Sequence, residues 1–234
     1  MNEQINLNTD LLIEADGASP LPLSPGGGCF SGEMEVHFSG IEDVLAREIQ
    51  NAGAVFGVVA WLTNERLLDE LAAKEVASII VQKEDFLRPE SLDKHPTKER
   101  LRSKYGAVKG GWRFDKLPAP IHGMSCALDA TIEGVRCAGV YDDYVRVHHK
   151  FAVFARHIRG GGDYDQCDAY EPYAVATGSY NWTNNANRSR ENLVLIHNPD
   201  VAECYFKEWA QICAISESLD WEWEYIEPQW RIGT

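Results

Sequence analysis

The chain has 234 residues, of which 44% are apolar, 10% aromatic and 25% charged, a make-up that excludes disordered, collagen-like and coiled-coil chains. One domain of α/β type is expected at this length, because about 200 to 250 residues bury a full core without splitting in two. Twenty-two Lys and Arg against 36 Asp and Glu leave a formal charge of −14, which repels bulk nucleic acid and anionic membranes unless the cations are gathered locally.

Met1 to Asp16 carry Glu3, Asp10, Glu14 and Asp16 and no Lys or Arg, so the basic start of a secretory signal is missing. No run approaches the roughly 18 apolar residues of a membrane span, and a cytoplasmic protein without membrane contact is expected. Residues 15–28, ADGASPLPLSPGGG, are too rich in Pro, Gly and Ser for a regular element, so residues 1–28 read as a flexible N-terminal arm and 29–234 as a single domain. A short strand at Glu35–Phe38 leads into a helix over Ile41–Asn51, with Ile41, Val44, Leu45 and Ile49 on one face. The run Ala54–Leu62 is apolar on both faces, as in a central strand. Helical spacing returns over Asn64–Glu75 with Leu67, Leu68, Leu71 and Ala72, and Val76–Val81 is a second apolar strand. This strand, helix and strand form a βαβ crossover and predict a parallel pair.

The segment from Asp93 to Lys116 changes character. Lys94, Lys98, Arg100, Arg102, Lys104, Lys109, Arg113 and Lys116 are opposed only by Glu99 and Asp115 between residues 94 and 116. Cations interleaved with Tyr105 and Trp112 suit a phosphate backbone with stacked bases, and a solvated surface loop is the plainer alternative. Strands follow at Gly134–Val140, Val145–Phe154, Tyr173–Thr177 and Asn192–His197. A last helix starts from Asn198-Pro199 and turns Val201, Tyr205, Trp209 and Ile212 inward. The six cysteines contain no C-x-x-C pair and read as free thiols. His122 and Cys126 have helical spacing, but no second pair completes a zinc site, so no metal and no cofactor are expected.

Two constellations carry chemistry. In Val145-Arg146-Val147-His148-His149-Lys150-Phe151 strand alternation puts His149 with the apolar residues and projects His148 and Lys150 together from the other face. Those two groups side by side are costly unless an anion lies between them, and a phosphate would serve. Thr177-Gly178-Ser179-Tyr180-Asn181 ends an apolar strand in a turn that offers a hydroxyl, an amide and backbone N–H groups, a donor set for a tetrahedral anion. Arg188, Arg190, Glu191 and Asn192 follow.

With these residues the sequence resembles the phospholipase D superfamily, in its single-motif nuclease branch. His148-His149-Lys150 matches the first half of the H-x-K-x(4)-D signature, and Gly178-Ser179-Tyr180-Asn181 with Glu191-Asn192 matches the G-S-x-N segment. The family's Asp, which the resemblance assigns to support of the site from behind, falls on Ala155, and Asp163, Asp165 and Asp168 are candidates to replace it.

The resemblance implies an α/β layered mixed sheet flanked by helices and a metal-independent phosphodiesterase. His148 would be the nucleophile or the acid, Lys150, Ser179 and Asn181 the phosphate cradle, and Glu191 an orienting partner for an imidazole. Because the chemistry uses two histidines and the chain holds one His-x-Lys, the resemblance also implies a homodimer with His148 of each subunit facing the other. Nucleic acid is the expected substrate, bound by Arg100, Arg102 and Lys104 and by Arg188 and Arg190 beside the second motif. A lipid hydrolase of the same superfamily and an inactive interaction protein are the alternatives. Trp221, Trp223 and Trp230 stand among Glu222, Glu224 and Glu227 and suit packing or dimer contacts better than base stacking.

Overall fold

A computed structural model describes residues 28–84, 96–110, 133–140, 146–160 and 168–220, and the backbone of four short strands at 11–12, 21–22, 124–126 and 230–232. The remaining residues of the expected N-terminal arm lie outside this set. So do Lys94, Trp112, Arg113, Lys116, His122, Asp163, Asp165, Trp221 and Trp223.

The elements run β1 (Leu11–Leu12), β2 (Leu21–Pro22), β3 (Cys29–Ser31), β4 (Met34–His37), α1 (Ile41–Asn51), β5 (Ala54–Val59), α2 (Glu65–Ala72), β6 (Val76–Gln82), α3 (Pro96–Ala107) and β7 (Met124–Cys126), and then β8 (Val135–Ala138), β9 (Lys150–Ile158), β10 (Ala169–Gly178), β11 (Leu193–Ile196), α4 (Pro199–Ala214) and β12 (Trp230–Ile232). An eight-stranded sheet in the order β3-β4-β11-β10-β9-β5-β6-β8 forms the centre. β5, β6 and β8 are parallel, and β9, β10, β11, β4 and β3 are antiparallel to their neighbours. The mixed α/β sheet expected from the sequence is therefore present.

Alternation along the strands sorts the core into two layers. Val55 and Val59 of β5, Ile79 of β6 and Ala152 and Phe154 of β9 meet α1, α2 and Tyr105 of α3 on one face. Phe56 and Val58, Ile80, and Phe151, Val153 and Ala155 meet Phe206, Trp209 and Cys213 of α4 on the other. Burial of β5 and β6 on both sides explains why they read as continuous apolar runs. Past α4, Glu217 exchanges backbone hydrogen bonds with Cys137 at 2.9 and 3.0 Å, and its carboxylate pairs with the buried Lys83 ammonium. This covers the β8 edge.

Several expectations need correction. The Pro- and Gly-rich stretch does hold one regular pairing, Leu11↔Pro22 and Leu12↔Leu21, a two-residue ladder short enough to accept a proline at its rim. β9 begins at Lys150 and runs to Ile158, four to five residues later than the apolar alternation suggests. Its extent is set by its partners: β5 stops at Val59, opposite Lys150, while β10 offers pairing down to Ala169. The basic segment holds a helix, α3, in place of a surface loop, with Tyr105 buried and its hydroxyl donating to the Leu62 carbonyl at 2.5 Å. α4 starts as expected, the Asn198 side chain accepting Val201 N–H at 3.0 Å. Its inner face is rotated, however, so that Ala202 and Phe206 are buried and Val201 and Tyr205 only flank them. Cys126 lies in a strand, which removes the helical spacing that would have paired it with His122.

Candidate active site

The strand register brings the two motifs to one end of the sheet. Lys150 opens β9 opposite Val59, the last residue of β5. The next register pair, Phe151↔Thr177, sits beside Gly178↔Leu193. The C-terminal ends of β5 and β10 and the starts of β9 and β11 therefore share one rim, which is also where the parallel strands end and where α/β sheets place ligands. His148, Lys150, Ser179, Asn181 and Glu191 all lie on it or in the turns just beyond it.

His148 and Lys150 are on one face, as expected. The ammonium donates to His148 Nε2 at 3.2 Å and to the His148 carbonyl at 2.9 Å. An ammonium has no acceptor, so in this arrangement Nε2 carries the lone pair and the neutral ring holds its proton on Nδ1. Partial burial holds the imidazole below the usual histidine range, helped by the cations of Lys150 and Arg146 and by His149. Burial also lowers the Lys150 ammonium, against the opposing charge of Glu191. His149 points to the α4 face, where its ring meets Phe151 edge-on at 5.6 Å and Nε2 lies 3.4 Å from Glu208 Oε1. Among the described residues the site of one chain thus contains one imidazole.

The second motif is folded tightly against β11. A Cβ at Gly178 would overlap the Asn192 carbonyl oxygen, the oxygen that accepts Ser179 N–H at 3.1 Å, so this position requires glycine. Ser179 Oγ donates to Glu191 Oε2 and accepts Asn192 N–H at 3.1 Å. Within one chain Glu191 therefore orients the serine hydroxyl, where an imidazole had been expected. Asn181 keeps its side-chain oxygen buried without a hydrogen-bond partner. Such an atom costs about 1 to 3 kcal/mol, more than packing alone would justify.

Trp61, in the sequence only a part of the apolar run Ala54–Leu62, belongs to the site. Its ring meets His148 edge-on at 5.3 Å and lies 5.6 Å beneath the Lys150 ammonium. No spacing rule marks it, because its partners stand almost ninety residues away in the chain. Beside Glu191 opens a cavity of about 300 Å³ lined by Glu42, Asp43, Arg66, Tyr180 and Asn187 among others. Its carboxylates outnumber its guanidinium.

The remaining expected residues fall elsewhere. Arg100 pairs with Glu65, Lys104 with Asp69 at 2.5 Å, and Arg102 with Asp220 and the Leu219 carbonyl. Three of the five cations expected to bind nucleic acid thus already hold α3 to α2 and to the segment after α4. Their order makes α2 and α3 parallel, which puts the N-terminal end of α3 at the same end of the sheet as the site. Arg188 and Arg190 are exposed just beyond the second motif. Ala155 is fully buried in the α4 layer, on the opposite face from Lys150 and roughly 16 Å down the strand at about 3.3 Å per residue. Asp168 does not replace the family carboxylate: it binds His157 Nε2 at 2.5 Å near the far end of β9.

Comparison with known proteins bears on residues 116–213, which match the family model described as the PLD-like domain of cardiolipin synthase. The matched stretch includes both motifs. Uncharacterized protein L381 of Acanthamoeba polyphaga mimivirus is 29% identical over 202 residues, 80% of this chain and 67% of the relative. Among solved structures, Nuc, a phospholipase D family member from Salmonella typhimurium, covers 79% of this chain and 95% of its own, with 16% identity and a TM-score of 0.47. NucT from Helicobacter pylori covers 76% and 96%, with 14% identity and a TM-score of 0.43. No helix among the described residues is long and apolar enough to cross a membrane.

Proposed function

We propose, from the premise that the chain belongs to the phospholipase D superfamily, that it is a phosphodiesterase acting through a phosphohistidine, with nucleic acid as substrate and a homodimer as the working form. The observation that carries this reading is the His148–Lys150 pair, with a lone pair on Nε2 held by an ammonium at 3.2 Å, on the same rim as the Gly178–Asn181 turn.

A substrate phosphoryl oxygen takes over the Lys150 donor and frees Nε2. The nitrogen attacks phosphorus, an N–P bond forms, and the bond to the leaving oxygen breaks as that oxygen takes a proton from a second, protonated imidazole. Water then gives its proton to the second imidazole and attacks phosphorus, and His148 leaves neutral. Lys150, Asn181 and Ser179 offset the charge on the equatorial oxygens, the work a metal does in other phosphodiesterases. The second imidazole is His148 of the partner subunit, and Glu191 is the group that orients it. The lowered proton affinity of His148 favours the nucleophile's neutral form, and a bound phosphate restores the proton on its counterpart. Ala155 does not weigh against activity, because its side chain faces away from the site.

Lys98 and Arg100 at the site end of α3, with Arg188 and Arg190, support a polyanionic substrate. The acidic cavity beside Glu191 favours a second reading, a phosphodiester with an uncharged or cationic leaving alcohol, as in a lipid hydrolase. EDTA-treated protein is to be assayed on single- and double-stranded DNA and RNA, on phosphatidylcholine and on bis(p-nitrophenyl) phosphate, beside His148→Ala. Cleavage of a nucleic acid that disappears in the variant is expected. Cleavage of phosphatidylcholine alone selects the second reading, and no His148-dependent cleavage of any substrate overturns both.

A further inference from the structure

We infer that Trp61 is a positioning residue that fixes the His148 ring and covers one side of the His148–Lys150 pair. The inference rests on the reading of His148 as nucleophile. It starts from how the indole is held. Trp61 follows β5 in a short connection gripped on both sides: Ala60 N–H donates to the His149 carbonyl at 2.9 Å, and Thr63 N–H donates to the Trp182 carbonyl at 2.8 Å. One clamp ties it to the first motif and the other to the residue after Asn181. Leu62 also bridges to Trp182, and Tyr105 caps the Leu62 carbonyl. Trp61 Nε1–H points to Glu84 Oε1 at 3.4 Å, which sets the rotation of the ring from the end of β6. A side chain fixed at backbone, flank and tip is a rigid surface.

What it touches is the pair that matters. Its edge contact with His148 at 80° between ring planes blocks free rotation of the imidazole, so Nε2 stays toward Lys150. Its face lies under the Lys150 ammonium, a favourable place for a cation. Charged groups reach His148 and Lys150 from three sides: Arg146, His149 and Lys150 along their own segment, Glu191 from the turn before β11, and Glu84 behind the indole. Removing the indole keeps these side chains but takes away the ring under Lys150 and the N–H on Glu84, and it opens one side of the His148 ring to water.

The test uses Trp61→Leu and Trp61→Phe in the full chain, with the His148 titration followed by NMR on histidine-labelled protein and assigned with His148→Ala. In Trp61→Leu the His148 midpoint should move up toward the ordinary value of about 6.5, because water regains the ring. On bis(p-nitrophenyl) phosphate, kcat should fall at least roughly tenfold with KM nearly unchanged. Trp61→Phe should restore most of both. If Trp61→Leu does not fold, Trp61→Met, which keeps a long apolar side chain without the ring or any change of charge, should move the midpoint the same way. An unmoved His148 midpoint in a folded Trp61→Leu or Trp61→Met protein overturns the inference. The titration needs no turnover, so it decides the role of Trp61 even if the phosphodiesterase reading fails.

Discussion

His148, just ahead of β9, and His157, near its far end, lie about 30 Å apart along one stretch of chain at ~3.3 Å per residue, and they are kept in opposite company. His148 is exposed and faces cations, Lys150 at 3.2 Å and Arg146 nearby. His157 is nearly buried and sits between carboxylates, Asp168 at 2.5 Å and Glu75 at 3.6 Å, with its ring stacked on Tyr170 at 5.3 Å. An imidazole beside carboxylates satisfies them and is satisfied in return, a structural arrangement. An imidazole beside cations has no reason to be there without an anion. The difference separates a histidine that holds the fold from one reserved for a ligand, although one stands just before β9 and the other near its end.

The largest effect that would break this comparison is on turnover. His148→Ala should abolish phosphodiester cleavage with little change in melting temperature, while His157→Ala should keep turnover and lower stability by about 1 to 3 kcal/mol. That corresponds to several degrees in Tm for a protein of this size. Loss of activity in a stably folded His157→Ala protein would mean that the far end of β9 takes part in the chemistry.

Next in size are the partners of His148. Lys150→Ala and Asn181→Ala should each lower kcat by roughly 10² to 10³, the loss typical of a preorganised donor. Glu191→Gln should cost less in one subunit's geometry, because Ser179 can still donate to the amide oxygen. If the site is shared across a dimer, light scattering should show twice the mass of one chain, and a fully active monomer would remove the second imidazole from the mechanism.

A smaller effect tests the basic helix. Arg100 and Lys104 are already paired with Glu65 and Asp69, so a phosphate backbone has to compete with those carboxylates. Exposed pairs of this kind are worth about 0 to 1 kcal/mol each, which makes the competition winnable. Glu65→Gln with Asp69→Asn should therefore tighten oligonucleotide binding several-fold and steepen its salt dependence. Reversing charge at Arg100, Arg102 and Lys104 should do the opposite and leave hydrolysis of bis(p-nitrophenyl) phosphate nearly unchanged. Unaltered affinity in both variants would take α3 out of the substrate path.

Much of this was legible in the residues. The α1 face, the β5–α2–β6 crossover and the Asn198 cap follow from local periodicity and capping, which act over a few residues. The pairing of His148 with Lys150 follows from strand alternation alone. The start of β9, the rotation of α4 and the engagement of Arg100 and Lys104 did not follow, because each is fixed by a partner distant in sequence. Trp61 was hidden for the same reason: an indole in an apolar run looks like core until the strand beside it is known. The clustering of cations in α3 was real, but the acids of α2 that meet them are thirty-five residues away.

The smallest effect concerns acid stability at the far end of β9. Burial pushes the Asp168 carboxyl up, but the His157 hydrogen bond, the Gly160 N–H at 3.0 Å and the charges of His157 and Arg159 outweigh it and hold the group below the usual aspartate range. A carboxylate whose folded value is depressed adds stability that is fully present above its unfolded value, about 3.9, and fades as pH falls through the folded one. The stability gap between the native chain and Asp168→Asn should therefore be present at about pH 5 and close progressively below about 4. Chemical denaturation at a series of pH values reads this directly. A gap that instead opened on acidification would mean that Asp168 is held protonated by its burial, and the carboxylate cage around His157 would lose its place as the structural counterpart of the His148 site.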